Sequence, residues 1–147
     1  MTGDSSQQNV LAGRLERLFQ TVHPAGRGPY SLREAAAAIN DTAGETIISA
    51  TYLSQLRSGQ RTEPSHSRLV AIARFFGVGV DYFSGAVPAE DASRQAEVAA
   101  AMRNAGIRQL ALRAHGLSDS SLAAVLAVID NARRLEHLPD PDDQPGQ

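Results

Sequence analysis

Apolar residues recur along this chain at helical spacing, in separate stretches divided by glycine, proline and small polar residues. Leu11, Leu15, Leu18, Phe19 and Val22 follow an i, i+4, i+7, i+8 pattern and predict a first helix from about Asn9 to Val22. The polar residues 1–8 before it are expected to be disordered. His23–Pro29, HPAGRGP, stops the helix with two prolines and two glycines. Ser31 and Glu34 have capping-box spacing and open a second helix with Leu32, Ala35, Ala36 and Ile39 on its apolar face. After the loop DTAGETII, Ser49 is placed to cap a third helix over about Ala50–Arg57, stopped by Gly59. Ser65 caps a fourth that reaches Phe76, and VDYF at Val80–Phe83 reads as a short fifth helix or turn. No alternating strand pattern occurs, so the predicted fold class is all-α, with a five-helix N-terminal domain over 9–84.

SGAVPAED, from Ser84 to Asp91, reads as a linker and places a domain boundary at 85–91. Beyond it Ala92, Ala96, Ala99 and Met102 align on one helical face until Gly106 breaks the run. Ile107, Leu110, Ala111 and Ala114 resume it. Ser118 then caps a last helix with Leu122, Val125, Leu126 and Ile129 in register, ending near Leu138. A segment of about 50 residues buries little surface alone. Residues 92–138 are therefore expected to form a helical dimerisation domain, with Leu110, Leu122, Val125, Leu126 and Ile129 against a second copy. The Pro- and Asp-rich tail 139–147 is expected to be disordered.

Composition narrows the chemistry. The 147 residues include no cysteine, which removes disulfides and thiolate metal sites. No stretch approaches the ~20 apolar residues of a membrane helix, and the N-terminus lacks the layout of a signal peptide. A cytoplasmic protein fits these features. The four histidines are scattered without ligand spacing, and GRG lacks the strand–loop–helix setting of a phosphate loop. No catalytic constellation, metal site or cofactor is expected, and the chain is not read as an enzyme. Net charge is −2, but its distribution is uneven. Between Ile48 and Phe75 stand Arg57, Arg61, Arg68 and Arg74 against Glu63 alone. All fourteen basic residues are arginine. Codon usage in a GC-rich genome and a use for the planar guanidinium both produce that.

The third helix and the loop after it, TYLSQLRSGQRTEPS, carry the candidate site. Leu53 and Leu56 are inward anchors, while Thr51, Tyr52, Ser54, Gln55 and Arg57 face outward or flank. Ser58, Arg61 and Thr62 follow at the helix end and on the loop, where phosphates would lie. Glutamine suits adenine N6/N7 and arginine suits guanine O6/N7. In a helix–turn–helix the second helix presents such residues to the major groove. So many donors point to a partner rich in acceptors, double-stranded DNA.

The residues also carry a resemblance. Tyr52–Leu53–Ser54–x–Leu56–x–x–Gly59, the Pro64 loop and LVAIARFFGVGVDYF are similar to the recognition region of XRE-family (Cro/repressor-like) regulators. RLERLFQTVHPAGRGPYS and RNAGIRQLALRAHGLS extend the likeness to actinobacterial members, over roughly residues 10–137. The resemblance implies a DNA-binding dimer with a C-terminal helical dimerisation domain. Some members are nucleoid-associated architectural proteins that bring distant DNA sites together. The longer polar N-terminus and the acidic tail depart from the family. The alternative is an antitoxin-like interaction module whose DNA binding is autoregulatory.

Overall fold

A computed structural model describes residues 3–24 and 26–141. Those residues form seven α-helices and one 3-10 turn, with no strand among them. In order these are α1 (Gly3–Thr21), α2 (Leu32–Ala43), α3 (Ala50–Ser58), α4 (His66–Phe76), the 3-10 turn (Val80–Phe83), α5 (Ala89–Ala101), α6 (Ala105–Ala114) and α7 (Asp119–Leu135).

Small polar residues set the starts of the helices. The Ser31 hydroxyl accepts from Glu34 N–H while the Glu34 carboxylate accepts from Ser31 N–H, closing the capping box. Ser49, Ser65 and Ser118 accept in the same way from the backbones of Tyr52, Arg68 and Ser121. Each bond satisfies a donor that the first helical turn leaves open. Gly44 and Gly59 end α2 and α3 at φ of 75° and 86°, a left-handed conformation that strains other residues.

The chain divides into two compact units, residues 1–107 and 108–147. In the first, α1 packs on α3 and α5, and α2 packs on α3 and α4. Leu15 and Phe19 of α1, Ile39 of α2, Leu53 of α3 and Phe76 of α4 meet in one core. Phe19 and Phe76 stand edge to face, 5.2 Å between centroids. Two arginines bind the later elements to this core. Arg14 of α1 donates to the carbonyls of Tyr82 at 2.8 Å and Val87 at 2.9 Å, while the buried Tyr82 hydroxyl donates to the Arg14 carbonyl at 3.0 Å. Burial pushes the Tyr82 phenol above its ordinary range, against the opposing pull of Arg14 and Arg17. Arg103 donates to the Phe75 carbonyl and lies over the Phe75 ring.

Several boundaries differ from the sequence reading. Helix α1 starts at Gly3, so residues 3–8 are helical rather than disordered. Apolar periodicity registers only where a helix packs, and a polar first turn leaves no such trace. The division between units falls at 107/108, inside α6, not at 85–91. Ala92, Ala96 and Ala99 are buried in the first core, and Val87 packs against it. Alanine spacing gives a face but not its partner, and the partner here is α1. Gly106 lies within the first turn of α6 and does not break a helix. Asn104 starts that helix, its side-chain oxygen accepting from Ile107 N–H at 3.1 Å. The tail residues 142–147 and residues 1–2, both expected to be disordered, lie outside the described residues.

The second unit contains the rest of α6 and all of α7. Ser118 and Asp119 at the α7 start, with Arg133 and Arg134 in its last turn, complement the helix dipole. No side chain in α6 or α7 is buried. Leu122, Val125 and Ile129 are half-buried, while Leu112, Val128 and Leu135 are 76, 71 and 74% exposed. No described helix is long and apolar enough to cross a membrane.

Candidate nucleic-acid interface

Helices α2 and α3 are joined by six residues, 44–49, and the amide of Asn40 holds that turn. Its oxygen accepts from the N–H groups of Ile47 at 3.0 Å and Ile48 at 3.1 Å, and its nitrogen donates to the Ile48 carbonyl at 2.9 Å. Arg68, from α4, donates through Nε to the Ile47 carbonyl at 2.8 Å. The turn is thus fastened from the helix before α3 and from the helix after it. Leu53 and Leu56 are fully buried and seat α3 on the core. Burial of each leucine contributes about 1.5–3 kcal/mol, enough to fix which face of α3 points outward.

The expected site residues divide into three groups. Thr51 and Ser54 stand exposed on the outer face of α3. Tyr52, Gln55 and Arg61 form a connected cluster. The guanidiniums of Arg61 and Arg68 lie over the Tyr52 ring, 4.9 and 5.0 Å from its centroid. Arg61 Nε donates to the Gln55 amide oxygen at 3.0 Å, and Arg61 N–H donates to the Gln55 carbonyl at 3.1 Å. Such stacking contributes about 0.5–1 kcal/mol per pair at exposed sites, so its main effect is to order side chains. The third group is turned to other work. The Ser58 hydroxyl donates to the Gln55 carbonyl and accepts from Gln60 N–H, tying off the end of α3. Thr62 is half-buried and, with Glu63 and Pro64, lines a cavity of about 490 Å³ beside Leu11 and Leu69.

Arg57 departs most from the sequence reading. Its Nε sits 3.2 Å from a Glu16 carboxylate oxygen, and its guanidinium lies over the Phe19 ring at 5.1 Å. The side chain therefore reaches back to α1. Position 57 is four residues after Leu53, on the same helical face, so spacing carried the signal. Arg27 also has a partner. Two of its nitrogens reach the two carboxylate oxygens of Glu34, at 2.9 and 3.0 Å. That pairing, together with the Ser31 backbone N–H, holds the Glu34 carboxyl down to about 2. The glycine-rich loop is thereby fastened to the start of α2.

Asn40 and Arg68 were not singled out from the sequence. A polar staple has no periodicity to betray it. The available signal for Asn40 was a turn-forming amide just ahead of a helix-ending glycine.

Two helices joined by a stapled turn, the second seated by leucines and presenting hydrogen-bond donors, define a DNA-binding helix–turn–helix protein. Residues 30–83 match the helix–turn–helix family, which spans α2 through the 3-10 turn. Beyond that module, the chain is 44% identical over 129 residues to the nucleoid-associated protein EspR from two strains of Mycobacterium tuberculosis. The match covers 88% of this chain and 96% of that protein. The chain belongs to the EspR family of helix–turn–helix proteins.

Proposed function

We propose that this protein is a homodimeric, nucleoid-associated transcriptional regulator that inserts α3 of each protomer into successive major grooves of double-stranded DNA. The outward face of α3 carries the reading: donors stand on it while Leu53 and Leu56 hold its other face in the core. Thr51, Tyr52, Ser54 and Gln55 lie toward base edges in this reading, Arg61 stands between bases and backbone, and Ser58 and Thr62 shape the loop that runs beside the phosphates. Arg57 fastens α3 to α1. The apolar stripes of α6 and α7, with Leu110, Leu122, Val125, Leu126 and Ile129, pair with those of a second copy. Pairing sets the two recognition helices about 34 Å apart, or a multiple of it, on one DNA face. The nucleoid role and any bridging of distant sites rest on the kinship with EspR.

The test is a titration of the full chain against labelled duplexes by fluorescence anisotropy, repeated over a range of salt. Phosphate contacts release counterions, so affinity is expected to fall steeply on a log–log plot. Gln55→Ala is expected to cost about 1–3 kcal/mol at a preferred site and little on random duplex. Binding that ignores both salt and α3 substitutions would remove this reading. Mixed-protomer sedimentation separates a second copy from a different protein partner on the α6–α7 face.

A further inference from the structure

We propose that Arg61 and Gln55 work as one donor-only reading pair, in which Arg61 fixes the Gln55 amide and so selects a guanine edge over an adenine edge. This rests on the reading that α3 enters the major groove. An arginine Nε–H can only donate, so the atom of Gln55 that faces Arg61 at 3.0 Å is the amide oxygen. The –NH₂ end of the amide is consequently turned away from Arg61.

Arg61 is itself positioned. Its backbone N–H is bonded to the Gln55 carbonyl, and its guanidinium lies over Tyr52. Tyr52 also stacks with Arg68, which holds the Ile47 carbonyl in the turn that Asn40 staples. The orientation of one amide is thus the end point of a series of contacts running from α2 through the turn and α4. The pairing also spans six residues, from helix to loop, so it keeps the loop after α3 in register with the helix.

The chemistry of the groove turns that orientation into a preference. An unconstrained glutamine offers a donor and an acceptor side by side, which matches adenine N6 and N7. With its oxygen turned toward Arg61, the amide leads with its –NH₂ end, and the pair presents that –NH₂ and the other guanidinium N–H groups, all donors. Guanine shows two acceptors in the major groove, N7 and O6, whereas adenine sets its N6 donor against them. Arg61 is then a positioning residue for Gln55 and not simply a charge near phosphate.

The experiment starts from duplexes selected by the full-length wild-type protein from a randomised library. The base read by Gln55 is the one whose preference disappears in Gln55→Ala. At that base, guanine is expected to exceed adenine by about tenfold in affinity. Arg61→Ala is expected to release the amide and move the preference toward adenine. Placing 7-deazaguanine at that base removes the N7 acceptor and needs no protein variant. It is expected to weaken wild-type binding and leave Gln55→Ala binding unchanged. An adenine preference in the wild type overturns the inference. So does an Arg61→Ala loss equal on guanine and adenine duplexes, or indifference of the wild type to 7-deazaguanine. In those cases groove reading by α3 stands. If no base depends on Gln55 and α3 substitutions leave binding intact, the proposed function falls as well.

Discussion

The two units of this chain solve the problem of apolar surface differently. The first closes a core within one copy: among the described residues, every buried hydrophobic lies between Leu11 and Ala99. The second has helices of similar amphipathic design, yet none of their side chains is buried. An amphipathic stripe gains its stability from the surface it covers, not from its own periodicity. The same spacing signal therefore marks a covered face in α5 and an uncovered one in α7. Which of the two it marks depends on the geometry of the neighbours.

That contrast is sharpest at residue 96. Ala96→Asp places an unpaired charge at a fully buried position, and a loss of about 3–5 kcal/mol is expected from urea unfolding. Val128→Asp, at a position 71% exposed, is expected to leave that transition in place. Equal losses at both positions would erase the distinction between the units. Next in size is Leu126→Glu. Analytical ultracentrifugation is expected to show a monomer, with affinity for paired half-sites lower by about 10²-fold and affinity for a single half-site unchanged. A variant that stays dimeric would move the interface out of α7. A truncation for this purpose belongs at residue 107 and not at 84, since the shorter cut strips α5 from the core.

Smaller effects probe how the first unit holds its proposed reading surface. Asn40→Ala removes three hydrogen bonds from the turn and is expected to cost about 2 kcal/mol in thermal or urea unfolding. It is also expected to weaken binding to preferred duplexes more than to random ones, because the turn sets the angle of α3. The smallest effect concerns Glu34. Its carboxyl sits near 2 instead of its ordinary 4.5, so its stabilising contribution is full above pH 4.5 and is lost as pH falls through about 2. Glu34→Gln is expected to flatten the decline in melting temperature over that acid window and to leave the proposed α7 interface alone. An unaltered acid profile would mean that Arg27 and Glu34 are screened by solvent.

Much of the helical layout is legible in the sequence because it is written in local chemistry. Ser31 with Glu34, Ser49, Ser65 and Ser118 announce helix starts, and Gly59 and Gly77 announce ends. Leu53 and Leu56 likewise announce the seated face of α3. What escaped depends on distance in space. Nothing near Ala96 says that its helix packs on α1, and nothing near Arg57 names Glu16. Asn40 and Arg68 act on Ile47 and Ile48 from different helices, so neither falls in one sequence window with the whole turn. Even the Arg61–Gln55 pair, only six residues apart, requires the loop to double back before it exists.

Six arginines lie over five aromatic rings: Arg14, Arg27, Arg57, Arg61, Arg68 and Arg103. A guanidinium keeps its charge throughout the physiological range, and the chain contains no lysine. Enzymatic acetylation of side-chain amines therefore has nothing to act on, and the cations beside α3 cannot be silenced that way. The same fact decides how the surface can be mapped chemically. Amine-reactive probes will pass over these side chains, whereas dicarbonyl reagents that condense with guanidinium will report which of them DNA covers.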